Sequence, residues 1–526
     1  MKLRTVAVLG GGPGGLYAAR LLKRSHPDAE VTVYEQGSPD TTFGFGVGLA
    51  SRTQRNLRAA DSLSLEDIVA AAHPHEMSMR IGDEISRISH GELLAIARTT
   101  LLTILQRHAE AAGVRLRFGR RYTIGDLRAD VIVAADGVNS ATRSALTDRI
   151  EPRIRTGAGL YLWCGTDFAL PSAVFTPVTT EHGTFVAHAY PYSADRSTFL
   201  IETDQDTWKR AGFDASTERT PASESDEESL LYLEKAFSGA LSGHRLIGNR
   251  TRWLRFRTVT CRRWHADNVV LLGDAAHTAH YSIGSGTKLA MEDAIALDRA
   301  IIGNSTLEDA LAEYERVRRP DVEHLQSIAA RSERWWDSFP DRTALPVDQL
   351  MINYMTRAGK VSLERFATSA PNVVHHGVAG YAGVRADTVP DAGLVDWVLA
   401  QPLARSGRTF STRLASAALR EDPTTHIVEI DTDSAWDARA NALVAALPDS
   451  GIVWLTGGPS RSDVLTRLDV AERATWCSTA TIVVEIPEEH RADAAAALAS
   501  GRAHLVFSTP VAHTTREPAS VDRVSA

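Results

Sequence analysis

The stretch VAVLGGGPGGLYAARLL, Val6 to Leu22, sets five glycines and a proline between an apolar run and an Ala/Leu-rich segment. Val6 to Leu9 reads as a buried parallel strand and Leu16 to Lys23 as a helix. Gly10, Gly12 and Gly15 between them follow the G-x-G-x-x-G spacing, with Pro13 and Gly14 completing the turn. The first glycine allows a tight turn, the second lets a pyrophosphate approach the backbone, and the third lets helix and strand pack closely. The helix N-terminus adds free N–H groups and a partial positive charge. A second strand, AEVTVYE, ends in Glu35 beside Gln36, about twenty residues beyond the glycines, where a carboxylate can accept from a ribose hydroxyl. The unit predicts an ADP-bearing dinucleotide, with NAD and FAD both open at this point.

The remainder of the chain limits the choices. At 526 residues it exceeds one ordinary core, and two or three domains are expected. An apolar content of 44% with 23% charged residues suits a water-soluble globular protein. A formal charge of −8 without a basic tract argues against nucleic acid as a partner. The three cysteines, Cys164, Cys261 and Cys477, are too scattered for a disulfide framework or a metal site, and read as free thiols in a reducing cytoplasm. No secretory leader and no membrane-spanning run is read, so a cytoplasmic location is expected.

Along the chain, the Gly-punctuated loop TTFGFGVGLA (Thr41 to Ala50) precedes a polar helical region. A helix face is then traced by Leu94, Leu101, Leu102 and Leu105. ADVIVAADGVNSATR is a buried strand ending in Asp136–Gly137, and NVVLLGDAAHTAHYSIGSGTKLAMEDAIAL is a strand, a loop carrying Gly273–Asp274, and a long helix. From about Arg155 to Asp204 the alternation and β-formers predict an inserted antiparallel sheet. SAPNVVHHGVAGYAG reads as a linker or an exposed loop. Beyond it THIVEI, GIVWLTGG, TIVVEI and AHLVF alternate with Ala-rich helices as a small parallel α/β unit. The fold class is therefore α/β (α+β overall). A Rossmann-like dinucleotide domain carries an inserted antiparallel substrate sheet (about 155–255) within residues 1–370, and a smaller α/β domain fills 371–526.

Three glycine/aspartate turns, Gly10–Gly15, Asp136–Gly137 and Gly273–Asp274, each follow a predicted strand, and ligands bind beyond such strand ends in open parallel sheets. One aspartate at a turn more often caps a helix; three in this order suit one extended dinucleotide. With GGGPGG and Glu35, IARTTLLTIL with Arg98, VAADGVNSATR and the GDAAH…GSG segment, residues 4 to 370 resemble the group A aromatic hydroxylases. These are single-component flavin monooxygenases of the p-hydroxybenzoate hydroxylase fold. TFGFGVGL, HGELLAIARTTLLTIL and EHGTFVAHAY are similar to the branch containing salicyloyl-CoA 5-hydroxylase and 2-aminobenzoyl-CoA monooxygenase. In this chain Tyr281 replaces the wider group's loop proline, and Lys288 stands where asparagine is common.

The resemblance implies extended FAD, with Arg98 near the ribityl–pyrophosphate region and Asp274 on a ribityl hydroxyl. The turn Gly284–Ser285–Gly286 would face the isoalloxazine, where a helix N-terminus stabilises charge near N1 and O2. NADH or NADPH would reduce the flavin transiently, and dioxygen would give a C4a-hydroperoxide that hydroxylates a phenol or aniline ring. The implied substrate is a small CoA-linked aromatic thioester: salicyloyl-CoA hydroxylated at C5, or alternatively 2-aminobenzoyl-CoA or another carrier-bound aminoaromatic. A flavin-binding scaffold without turnover is the reading from a different class. His280 and Tyr281 are candidate catalytic residues, and His188, Tyr190 and Ser282 candidate substrate contacts. The tail EEHRADAAAALASGRAHLVFSTP is similar to the last βα units of a reductase barrel. About 150 residues are too few for eight such units, so a non-catalytic packing or dimerising domain, and with it a possible homodimer, is expected.

Overall fold

The computed structural model describes residues 1–40, 42, 44–284 and 286–510, and they form two compact units, Met1–Thr343 and Ala344–Ala526. In the first unit a six-stranded sheet has the order His265–Ala266, Val269–Leu271, Val131–Ala134, Thr5–Leu9, Glu30–Tyr34, Arg115–Arg117. All neighbours are parallel except the terminal hairpin. Val6, Val8 and Leu9 are buried because strands flank them on both sides and the helices Pro13–Ser25 and Gly286–Gly303 belong to the same apolar core. The glycine/aspartate turns expected to act together follow Thr5–Leu9, Val131–Ala134 and Val269–Leu271, which are three adjacent parallel strands. Pairing between segments more than a hundred residues apart therefore gathers the three turns along one sheet edge.

The second sheet runs Leu246–Ile247, Pro152–Thr166, Ser197–Thr203, Gly183–Pro191, Ala173–Thr180, His73–Ile81, Glu84–Ala97, Gly46–Leu49, with Trp253–Cys261 also pairing to Pro152–Thr166. It is antiparallel apart from the His73–Ile81/Ala173–Thr180 pair. One face packs Phe185, Phe199, Leu162 and Ile201 against the helical segment that includes Phe213, Leu233 and Phe237. The other face carries Tyr161, His188 and Glu202.

Two expectations are corrected here. Leu94 lies in the strand Glu84–Ala97, not on a helix face; the helix starts at Arg98. A register shift between His75 and Met77 breaks the two-residue period that would have marked these strands. The stretch read as a linker is the helix Pro371–Ala382, started by proline at its first position and burying Val373, Val374 and Val378.

The second unit contains four parallel strands, Thr425–Ile430, Ile452–Gly457, Thr481–Pro487 and Leu505–Thr509, in chain order. The helices Ala438–Ala445, Arg461–Cys477 and Arg491–Ala499 connect them. Among the described residues no helix is long and apolar enough to cross a membrane.

Candidate active site

The site begins at the glycine turn. Gly10 has φ +103°, and a Cβ there would stand 2.2 Å from the Ala135 carbonyl oxygen; a Cβ on Gly15 would stand 2.1 Å from that of Gly10. Gly14 is equally confined, against Leu272 and Ala290, whereas around Gly12 nothing lies within 4 Å. Gly12 caps the helix Pro13–Ser25 without a side-chain hydrogen bond, so the helix offers its first N–H groups outward. Glu35 is braced by the N–H groups of Gly11 and Gly37, each 2.7 Å from a carboxylate oxygen, and Gln36 beside it is exposed.

The second turn is built by Asp136, whose carboxylate accepts from Ser140 Oγ (2.6 Å) and from Thr142 N and Oγ1 (3.0 Å each). Its carboxylate organises the turn, and Gly137, at φ +78°, completes it. Buried Arg143 donates to the carbonyls of Val138 (2.6 Å) and Ala275 (2.9 Å), fastening this turn to the one bearing Asp274. Asp274 is reached by solvent yet lies among enough protein to push its carboxyl up, against the pull of Arg98 and His277. Burial likewise lowers the Arg98 guanidinium, which Asp274 and Tyr190 oppose. Arg98 opens its helix, and its N–H donates to the Phe45 carbonyl (2.8 Å).

Beneath Asp274 is a charge network that the sequence reading did not single out. Asp293 Oδ2 accepts the Gly273 N–H (3.0 Å), and Asp293 Oδ1 accepts from Arg318 Nε (2.7 Å). His277 Nε2 is at ion-pair distance, 2.8 Å, from Asp293 Oδ2 without the alignment of a hydrogen bond. The trace in the sequence is one acid on the otherwise apolar buried face of the helix Gly286–Gly303.

At the other end, Tyr190 donates its hydroxyl to the Gly46 carbonyl (2.8 Å), and burial pushes it up to about 12. It anchors the Gly44–Gly46 loop. His188, 8% exposed, lies 3.9 Å between ring centroids from Trp336 and 6.4 Å from Tyr281. Tyr281 meets Tyr161 edge-on at 4.9 Å, and burial, then the Glu202 charge, raises its hydroxyl far above the ordinary value. Burial lowers His280 to about 4, against the attraction of Glu202 and Glu333, so it is a neutral imidazole at pH 7. Ser282 Oγ sits 2.9 Å from His280 Nδ1 and 2.8 Å from Ser332 Oγ, tying the loop to the helix Leu307–Asp337. Gly284 turns at φ +60° and Gly286 starts the helix Gly286–Gly303; Ser285 lies outside the described residues. The arginine-rich segment Thr251–Trp264 is largely committed to its own surface. Arg252 donates to the Thr217 carbonyl, Arg255 to Ala158 and Gln205, Arg257 to Asn139, and Arg262 pairs with Glu151.

Residues 4–126 and 121–328 match the family model described as FAD binding domain. A Streptomyces salicyloyl-CoA 5-hydroxylase is 43% identical over 340 residues, 64% of this chain; the chain spans 65% of that relative's length. The 3-hydroxy-4-methyl-anthranilyl-[aryl-carrier protein] 5-monooxygenase of Streptosporangium sibiricum is 39% identical over 70% of this chain and 98% of its own. Among solved structures, 2-methyl-3-hydroxypyridine-5-carboxylic acid oxygenase shares the fold at a TM-score of 0.51 and 20% identity, covering 71% of this chain and 97% of that one. The chain belongs to the FAD-binding domain family of FAD-dependent monooxygenases.

The site fits that cofactor. The open backbone at Gly12, the outward N–H groups of an uncapped helix and the solvent-reached Asp274 carboxylate are what a pyrophosphate and a polyol chain require. Asp274→Ala is expected to weaken FAD retention by roughly 1–3 kcal/mol, the worth of one or two hydrogen bonds to a charged group. Fluorimetric titration of the apoprotein with FAD measures this, and an unchanged dissociation constant would remove Asp274 from the cofactor site.

Proposed function

We propose that this chain hydroxylates salicyloyl-CoA at C5, to gentisyl-CoA. The 43% identity over 340 residues to the Streptomyces relative carries the reading. Bound FAD, reduced by NADH or NADPH and exposed to dioxygen, supplies an electrophilic oxygen atom for an electron-rich ring. The chain supplies the rest. The Pro13–Ser25 N-terminus and Gly12 hold the pyrophosphate, with Glu35 and Gln36 at the ribose end. Arg98, Gly137 and Asp274 hold the middle, and the Gly284–Gly286 helix start stabilises negative charge on the ring system. His188, Tyr190, His280, Tyr281 and Ser282 belong to the walls that exclude water from the ring. The second unit is read as a packing or dimerising domain outside the chemistry.

The Streptosporangium relative favours a second reading, an aminoaromatic ring held on a carrier-protein thioester. Mass spectrometry of products from salicyloyl-CoA, 2-aminobenzoyl-CoA, free salicylate and free anthranilate separates the readings. Coupled C5 hydroxylation of salicyloyl-CoA is expected, with slow turnover or mostly peroxide from the free acid. Equal coupled rates with free salicylate would remove the thioester, and product from the amino thioester alone would select the second reading. NAD(P)H oxidation that no ring accelerates would leave a flavin-binding scaffold.

A further inference from the structure

The strand pairing puts Val186 opposite Glu202 and His188 opposite Leu200, so Glu202 and His188 are diagonal neighbours on the face that meets the Tyr281 loop. Both are buried, at 9% and 8% exposure. Glu202 Oε2 lies 3.4 Å from His188 Nε2, yet neither that nitrogen nor Glu202 Oε1 makes a hydrogen bond. A carboxylate buried with an open acceptor is costly unless something it receives completes it. Every other charge around it has a partner: Glu333 pairs with Arg155, and Asp337 with Arg334. Glu202 lines a cavity of about 170 Å³ with His280, Tyr281, Glu333, Trp336 and Asp337, and the exposed Asp204 and Gln205 form its rim. At about 30 Å³ per water it has room for a short water chain.

We propose that Glu202, held beside His188, is the base that takes the proton from the ring's hydroxyl group during hydroxylation and passes it through this cavity to solvent. The O–H bond breaks, its electron pair stays on the ring oxygen, and an O–H bond forms on the carboxylate. The ring becomes more electron-rich at the position that is attacked. Burial pushes Glu202 up, but His188 foremost, with His280 and the Tyr281 hydroxyl, outweighs it and keeps the carboxylate below its ordinary range, ready to accept. Asp337 is pushed up to about 6 by burial, against the pull of Arg334 and with Glu333 and Glu202 adding to the rise, so it exchanges protons near neutrality at the outer part of the route. The groups facing Glu202 are thus His188 and Tyr161 on the sheet, His280 and Tyr281 on the loop, and Glu333 and Asp337 on the long helix.

The inference rests on the hydroxylase reading, and its test uses whichever of the two salicyl substrates above the flavin-loaded wild-type enzyme couples best. Glu202→Gln should slow hydroxylation about 100-fold at pH 7, the ordinary contribution of a positioned base, with FAD content and flavin reduction by NAD(P)H unchanged. The loss should shrink as pH rises, and shrink again with a fluorinated or nitrated ring whose proton leaves unaided; Glu202→Asp should restore part of the rate. An E202Q enzyme with the wild-type rate and pH profile overturns the proposal, as does a loss equal at every pH and for every ring. If E202Q fails to hold FAD, E202D decides, and an unshifted pH profile there overturns the proposal. Turnover of neither salicyl substrate would overturn the proposal, and turnover of none of the four rings the function it rests on as well; failure of salicyloyl-CoA alone overturns only the substrate.

Discussion

Asp293→Ala is expected to destabilise the first unit by about 3–5 kcal/mol, because it leaves buried charge without its partner. The carboxylate is fully buried, and burial alone would push it up; His277 and Arg318 together with the Gly273 N–H outweigh that and keep it ionised. Without it, Arg318 Nε loses its 2.7 Å acceptor, and among the described residues the guanidinium keeps Glu292 at 3.2 Å on Nη2 and the exposed Asp321 at 3.4 Å on Nη1. The Gly273 N–H is orphaned at the same time, and that turn, at φ +61°, carries Asp274. FAD retention should therefore fall along with the denaturation midpoint. Urea unfolding of the apoprotein measures the first effect, and FAD titration the second. A midpoint within error of wild type would show that the network is not what supports the turn. Asp293→Asn, which keeps the Gly273 hydrogen bond but not the charge, should fall between the two.

Gly15→Ala should abolish FAD binding and leave little soluble protein, whereas Gly12→Ala should fold and bind FAD at least about tenfold more weakly. One methyl group is added in each case, and the difference lies in what it meets. At Gly15 the Cβ would stand 2.1 Å from the Gly10 carbonyl oxygen and 3.2 Å from the Ala135 Cβ, so the helix Pro13–Ser25 must move away from the sheet. At Gly12 the Cβ points into space free of protein, at an extended φ of −73° that alanine adopts easily, and glycine and alanine differ modestly there as caps. Thermal melting and flavin content of the two purified variants test the pair. Equal behaviour of G15A and G12A would contradict the assignment of one glycine to packing and the other to the pyrophosphate.

How much of this was legible in advance depends on the range of the interaction. The strand–turn–helix at Val6–Leu22 is local: a glycine spacing dictated by backbone collisions within a dozen residues is visible as spacing. The same holds for the two later glycine/aspartate turns and for the alternation of the second unit's strands and helices. The strands His73–Ile81 and Glu84–Ala97 were missed because an irregular register erased their period, and pairing with Ala173–Thr180 stabilises them from far along the chain. Pro371–Ala382 reads as a linker or loop in sequence because its glycines and histidines are poor helix formers, a preference that packing of its valines overrides.

The sequence by itself determined the dinucleotide turn, the alternating α/β architecture and the family. It also marked the glycine and aspartate turns that lie along one sheet edge, since each belongs to a short motif whose chemistry is written in its own neighbours. Tertiary structure alone decided what surrounds them. It assigned Asp136 to its turn, Tyr190 to the Gly46 loop and Ser282 to Ser332. It brought Asp293 to Arg318, twenty-five residues on, and set Glu202 beside His188 across a hairpin. The physical reason is that a buried charge is defined by the partner it meets and the water it loses. Neither is a property of the residues adjacent to it in the chain.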